Sequence, residues 1–183
     1  LVRGNRLLAN GLSGMRIRGG TLTTESVWDD ADIVHVLQSE VIVPDFHTFG
    51  GLRIQSRVDE SLVVKLGAGA GLTATGNPLD ITDRIGGSIQ VIGAPGFPVV
   101  MASIKDDSVG AGFDPNGRPL LDTGNDGNTA ITAADAWRSI LLNQNSNDRN
   151  LDTAIELEAD QIQDIGVNDS PFAAQYLGGL AST

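Results

Sequence analysis

The sequence predicts an all-β chain, a parallel β-helix (solenoid) with irregular loops and a C-terminal extension. Three observations point there. Short β-forming runs at residues 62–66, 72–75, 88–92 and 99–104 are separated by Gly, Asn and Pro turns. Between residues 62 and 107 no run has the length or the period of a helix. The chain is also rich in Gly (23 of 183 residues) and poor in aromatics (4%), which suits thin stacked β layers better than a helical bundle.

Taken in order, residues 1–20 (LVRGNRLLANGLSGMRIRGG) carry Asn at intervals where an amide side chain satisfies backbone groups in a turn. Met15 and Ile17 alternate with Arg16 and Arg18, the pattern of a strand with one buried face. Residues 33–43 form a β-prone run that Pro44 ends, because Pro cannot donate to a ladder. In residues 51–57 Leu52 and Ile54 are expected inward, Arg53 and Gln55 outward. Strand starts fall near residues 15, 33, 52, 62, 72, 88, 99 and 138, too uneven for a regular tandem repeat.

Residues 105–136 (KDDSVGAGFDPNGRPLLDTGNDGNTAITAADA) then form a long polar excursion, and loops of this length are usually functional or disordered. A strand resumes over 137–143. The next segment reads either as a strand at Thr153–Leu157 or as a short acidic helix over 152–164. The division expected is a β-helix segment over 1–150 and an extension, linker or assembly strand over 151–183. That tail is expected to pack on the solenoid or to add a strand to a neighbouring subunit.

Charge and composition exclude several classes. With 12 basic and 23 acidic residues the net charge is −11, and no Lys/Arg cluster offers nucleic acid a basic face. There is no cysteine, hence no disulfide and no thiolate ligand or nucleophile. No stretch approaches the roughly 20 apolar residues of a membrane helix, so no membrane insertion is expected. The start at Leu1 rather than Met reads as an excised or processed piece of a longer chain.

The series GMRIRGGTLTTESVWDDADIVHVL, VIVPDFHTFGGLRIQS, SLVVKLGAGAGLTATG, ITDRIGGSIQVIG and PGFPVVMASIKDDSVGAGFD resembles very large exported surface proteins of planctomycete-type bacteria, over about residues 10–150. Those proteins contain parallel β-helix segments similar to pectin-lyase-like and adhesin solenoids. NDSPFAAQYLG (168–178) is similar to the first strand region of bacterial pre-peptidase C-terminal domains. The resemblance implies export, an extracellular or cell-surface location and a modular chain, and it implies no chemistry for this segment.

The best site candidate is the Asp/Asn loop. Calcium takes about six to eight hard oxygen ligands, which closely spaced Asp, Asn and backbone carbonyls on a Gly-flexed loop supply. Residues 122–128 (DTGNDGN) partly follow the D-x-[DN]-x-[DN]-G calcium pattern through Asp122, Asn125, Asp126 and Asn128. Gly124 departs from the pattern, and Ala133 stands where a bidentate Glu belongs, which favours an irregular site. Asp106, Asp107, Asp114 and Asn116 are expected to complete it.

Catalysis is not expected. Lys65, Lys105, Asp106 and Asp107 are available to a lyase-like reaction, but no acid- and aromatic-rich cleft is evident. His35 and His47 read as packing or surface residues, and GAGAG (67–71) as a tight turn rather than a phosphate loop. The expected role is structural or adhesive, with calcium as the cofactor and neighbouring domains or identical subunits, end to end or by strand addition, as partners. The rival is a polysaccharide-binding or polysaccharide-cleaving β-helix.

Overall fold

The computed structural model describes residues 3–77, 85–127 and 130–146, and the backbone of the strand at 155–158. Twelve strands are defined there: β1 (Met15–Ile17), β2 (Gly20–Thr21), β3 (Ser26–Trp28), β4 (His35–Leu37), β5 (Val41–Val43), β6 (Leu52–Gln55), β7 (Leu62–Leu66), β8 (Leu72–Ala74), β9 (Ile89–Ile92), β10 (Val99–Ser103), β11 (Ser139–Leu142) and β12 (Ile155–Glu158).

They form three sheets, ordered β1-β4-β7-β10, β12-β11-β8-β5-β2 and β3-β6-β9. Up to β11 the pairing is parallel, and the chain visits the three sheets in turn. Each strand is only two to five residues long, so one strand buries little by itself. Stability comes from side chains of successive strands brought into register in rows.

The first sheet shows how. Met15, His35, Val64 and Met101 are aligned, as are Ile17, Leu37, Leu66 and Ser103. Between them runs Arg16, Val36, Lys65 and Ala102. Because successive side chains alternate faces, the first two rows face one way and the third the other. Leu37, Val64, Leu66 and Met101 join the main core with Val41, Val43, Leu72 and Ile140 of the second sheet and Leu52, Ile54 and Ile89 of the third. Each such fully buried aliphatic contributes about 1.5–3 kcal/mol. Val34, Val36 and Val63 form a second, separate cluster on the opposite face of the first sheet.

The expected all-β parallel β-helix, or solenoid, with irregular loops and a C-terminal extension is corrected by this arrangement: the described residues form three mostly parallel sheets with two helical turns and one antiparallel edge. Helix α1 (Phe46–Phe49) forms because the Asp45 side chain accepts from the His47 amide and Gly50 ends the turn at φ 77°. A 3-10 turn (Ala133–Asp135) is capped reciprocally by Thr132 and Asp135. β12 pairs antiparallel with β11, Ser139 opposite Glu158 and Leu142 opposite Ile155. Reversal needs no crossover connection, whereas another parallel strand would.

Local differences have local causes. The run 33–43 is two strands, broken by the corner 38–40 as the chain passes from the first sheet to the second. β2, β3 and α1 are not among the elements that the sequence pattern marks. The strand reading of 153–157 is met by β12, which adds to β11 of its own chain; the rest of 151–183, including 168–178, lies outside the described residues.

Candidate metal centre

The long loop does not project from the sheets. After β10 it turns back over the outer face of the first sheet, where Ile104, Val109 and Ala111, together with Leu12, pack on Val34, Val36 and Val63. The Ser13 amide donates to the Thr123 carbonyl (2.8 Å), and Leu120 to Gly112 (3.1 Å). At the far end, the Arg6 guanidinium lies over the Phe113 ring, 5.3 Å from its centroid. The fit is close. A Cβ at Gly14 would lie 2.7 Å from Val36 Cγ2 and 2.8 Å from the Val34 carbonyl, and Gly112 (φ 77°) sits against the Asp32 carbonyl.

Lys65 lies under this loop. Its outward register beside Val36 and Ala102 would leave it in water if the loop were elsewhere. Instead it is 0% exposed, and its Nζ donates to the Leu121 carbonyl at 2.8 Å. Burial pushes its ammonium below the usual lysine range, opposed by the charges of Asp107, Asp106, Asp122 and Asp126.

Three of these carboxylates converge. Asp107, Asp122 and Asp126 each offer an oxygen within 4.8 Å of the others. Asp122 is held by accepting from the Asp126 amide (3.2 Å) and the Gly127 amide (3.1 Å). The tight turn places Asn125 at φ 51° and Gly127 at φ 73°, both left-handed, which Asn and Gly adopt most readily. Asp107 differs from its neighbours: both of its oxygens are buried without a hydrogen-bond partner. Burial first, and the negative charge of Asp122 next, push its carboxyl up, with Lys65 opposing.

The other expected ligands are placed less favourably. Asp106 accepts from the amide and hydroxyl of Ser108, a local turn of its own. Asp114 accepts from the amides of Asn116 and Arg118 (both 2.8 Å), which hold its carboxyl below the usual range, and the Asn116 side chain donates back to it. Asp114 and Asn116 thus serve a turn outside the Asp107–Asp122–Asp126 group. Asn125 belongs to the turn between two of the converging carboxylates, and Asn128 lies outside the described residues. Lys105 pairs with Asp135 (3.2 Å), which also caps Thr132.

Sequence reasoning named Asp107, Asp122 and Asp126 as ligands and set Lys65 beside Asp107 only as a lyase-like possibility, not as a buried neighbour of the ligands; it missed Thr123 as a wholly buried residue between two of them. The only signal was a lysine in an otherwise apolar strand (LVVKL), which by alternation reads as solvent-facing. His35 is buried and stacked on Trp28, ring centroids 5.8 Å apart, and both tryptophans are buried. Residues 67–71 form the turn between β7 and β8, with Ala70 donating to Gly67.

Chemically, three carboxylates with a buried, donor-free member suit a hard divalent cation, whose remaining ligands would be carbonyls and water. No protein-family model matches the chain, and neither a curated protein nor a solved structure is significantly similar to it.

Proposed function

We propose that this chain is a non-catalytic structural or adhesive module of an exported bacterial surface protein, in which a calcium ion on Asp107, Asp122 and Asp126 staples the long loop to the first sheet. The observation that carries this reading is the buried Asp107 carboxylate, which has no hydrogen-bond partner and faces two further carboxylates. Buried carboxylates are normally paired or ligated, and a divalent ion would do both. Extracellular location rests on the resemblance to exported surface proteins, and millimolar-range calcium sites are usual in extracellular modules.

A neighbouring module or a second copy is the partner of choice. Among the described residues, β1, β2 and β3 are each hydrogen-bonded to a strand on one side only, and such edges accept another strand. Sugar recognition has less support, because both tryptophans are buried and unavailable for stacking.

Calcium titration tests the proposal. Isothermal titration calorimetry should show one site, and EDTA should lower the melting temperature of calcium-loaded protein. Asp122→Asn should weaken binding at least tenfold. Absence of binding up to several millimolar calcium would overturn the cation reading.

A further inference from the structure

We infer that Lys65 is a built-in counter-charge for the Asp107–Asp122–Asp126 cluster, competing with a divalent cation and setting how tightly that cation is held. The inference rests on the calcium reading above and names what regulates the same site.

The geometry is unusual for a lysine. Lys65 stands in a β-strand row between Val36 and Ala102, and the valines Val34, Val36 and Val63 share that face. An ammonium wholly withdrawn from water is strongly unfavourable unless charge or hydrogen bonds offset it. One bond, to the Leu121 carbonyl, is in place, and it sets Nζ beside the residue that precedes Asp122. This bond goes to a carbonyl rather than to a carboxylate, so the ammonium acts on the cluster through space. The independent second observation is Asp107, whose two buried oxygens receive no hydrogen bond from Lys65 or from any other described group. The cluster is therefore partly neutralised from below while both oxygens of Asp107 receive no hydrogen bond.

Two consequences follow from Coulomb's law in a partly buried site. Without a divalent ion, the fixed positive charge keeps three converging carboxylates tolerable, so the fold does not depend on the ion. With the ion, the same charge repels it and holds affinity down. A loop pinned by an occasional ion, over a lysine that stands in when the ion leaves, responds to the cation concentration outside the molecule.

The test compares wild type with Lys65→Met, Lys65→Gln and Lys65→Arg. Calcium affinity is measured by calorimetry, and thermal melting is followed in EDTA and in saturating calcium. Expected are at least tenfold tighter calcium binding in the Met and Gln variants and near wild-type binding in the Arg variant. In EDTA the Met and Gln variants should melt well below wild type, and calcium should restore most of the loss. Gln retains a donor for the Leu121 carbonyl, so it carries the comparison if Met does not fold. Equal calcium affinity in wild type and the uncharged variants would overturn the role of Lys65 and leave the metal site standing. No calcium binding by wild type or by the uncharged variants would overturn the metal site and this inference with it.

Discussion

Lys65 and Leu121, 56 positions apart, are joined by a 2.8 Å hydrogen bond from a buried ammonium to a loop carbonyl. The bond ties β7, in the middle of the first sheet, to the segment that carries Asp122 and Asp126. It also converts an outward-facing strand position into an interior one. The acidic loop is thereby a second layer of the fold rather than a solvated excursion.

If Asp107 is a ligand held in reserve, its substitution should have opposite signs with and without the ion. In EDTA, Asp107→Asn removes a charge that burial and Asp122 disfavour more than Lys65 offsets, and should stabilise the protein. In calcium the same variant should bind the ion at least tenfold more weakly and lose the calcium-dependent rise in melting temperature. Paired thermal melts of wild type and variant read both signs.

The close approach at Gly14 predicts a steric penalty. Gly14→Ala places a methyl 2.7 Å from Val36 Cγ2 and 2.8 Å from the Val34 carbonyl, and the carbonyl belongs to the strand region and cannot retreat. Overpacking of this kind costs about 1–3 kcal/mol. The urea midpoint should fall by the corresponding amount. An unchanged midpoint would show that the segment 12–14 does not pack on the first sheet as described.

His35 gives the protein a pH dependence above the usual carboxylate range. Burial lowers its folded-state pKa from the ordinary 6.5, with the charges of Asp30 and Asp29 and a backbone bond opposing. Between the two values the unfolded chain takes up a proton and the folded chain does not. Stability is therefore fully present above about pH 6.5 and declines as pH falls toward the lower folded value, by at most about 1.4 kcal/mol per pH unit. Urea unfolding at pH 7.5 and 5.5 measures the slope. His35→Phe, which keeps a ring against Trp28, should flatten it.

The antiparallel strand β12 protects an edge. Truncation after Ser146 would remove β12 and leave β11 unpaired on that side. Unpaired edges recruit other chains. The truncated chain should self-associate at concentrations where the full chain does not, as read by light scattering after size exclusion. A monomeric truncated chain would mean that β12 is dispensable as an edge cover.

Much of the strand layout was legible. The runs at 62–66, 72–75, 88–92 and 99–104 correspond to β7, β8, β9 and β10, because β-forming residues and Gly or Pro boundaries are local signals. Leu52 and Ile54 are inward and Arg53 is outward because period-two alternation is local too. The two-residue β2 and the corner at 38–40 were not legible. A strand that short carries no period, and a corner between two apolar runs needs no Gly or Pro.

By itself the sequence determined which residues are β-forming, that charge and missing cysteines leave oxygen chemistry as the metal option, and that the Asp-rich loop holds the candidate ligands. Only the tertiary structure decided that Asp107, Asp122 and Asp126 converge while Asp106 and Asp114 close their own turns. It also decided that Lys65 is buried beneath them. The physical reason is separation along the chain. Alternation fixes the side of a strand on which a residue stands, but whether that side meets water depends on a loop that starts some forty residues later and folds back across it.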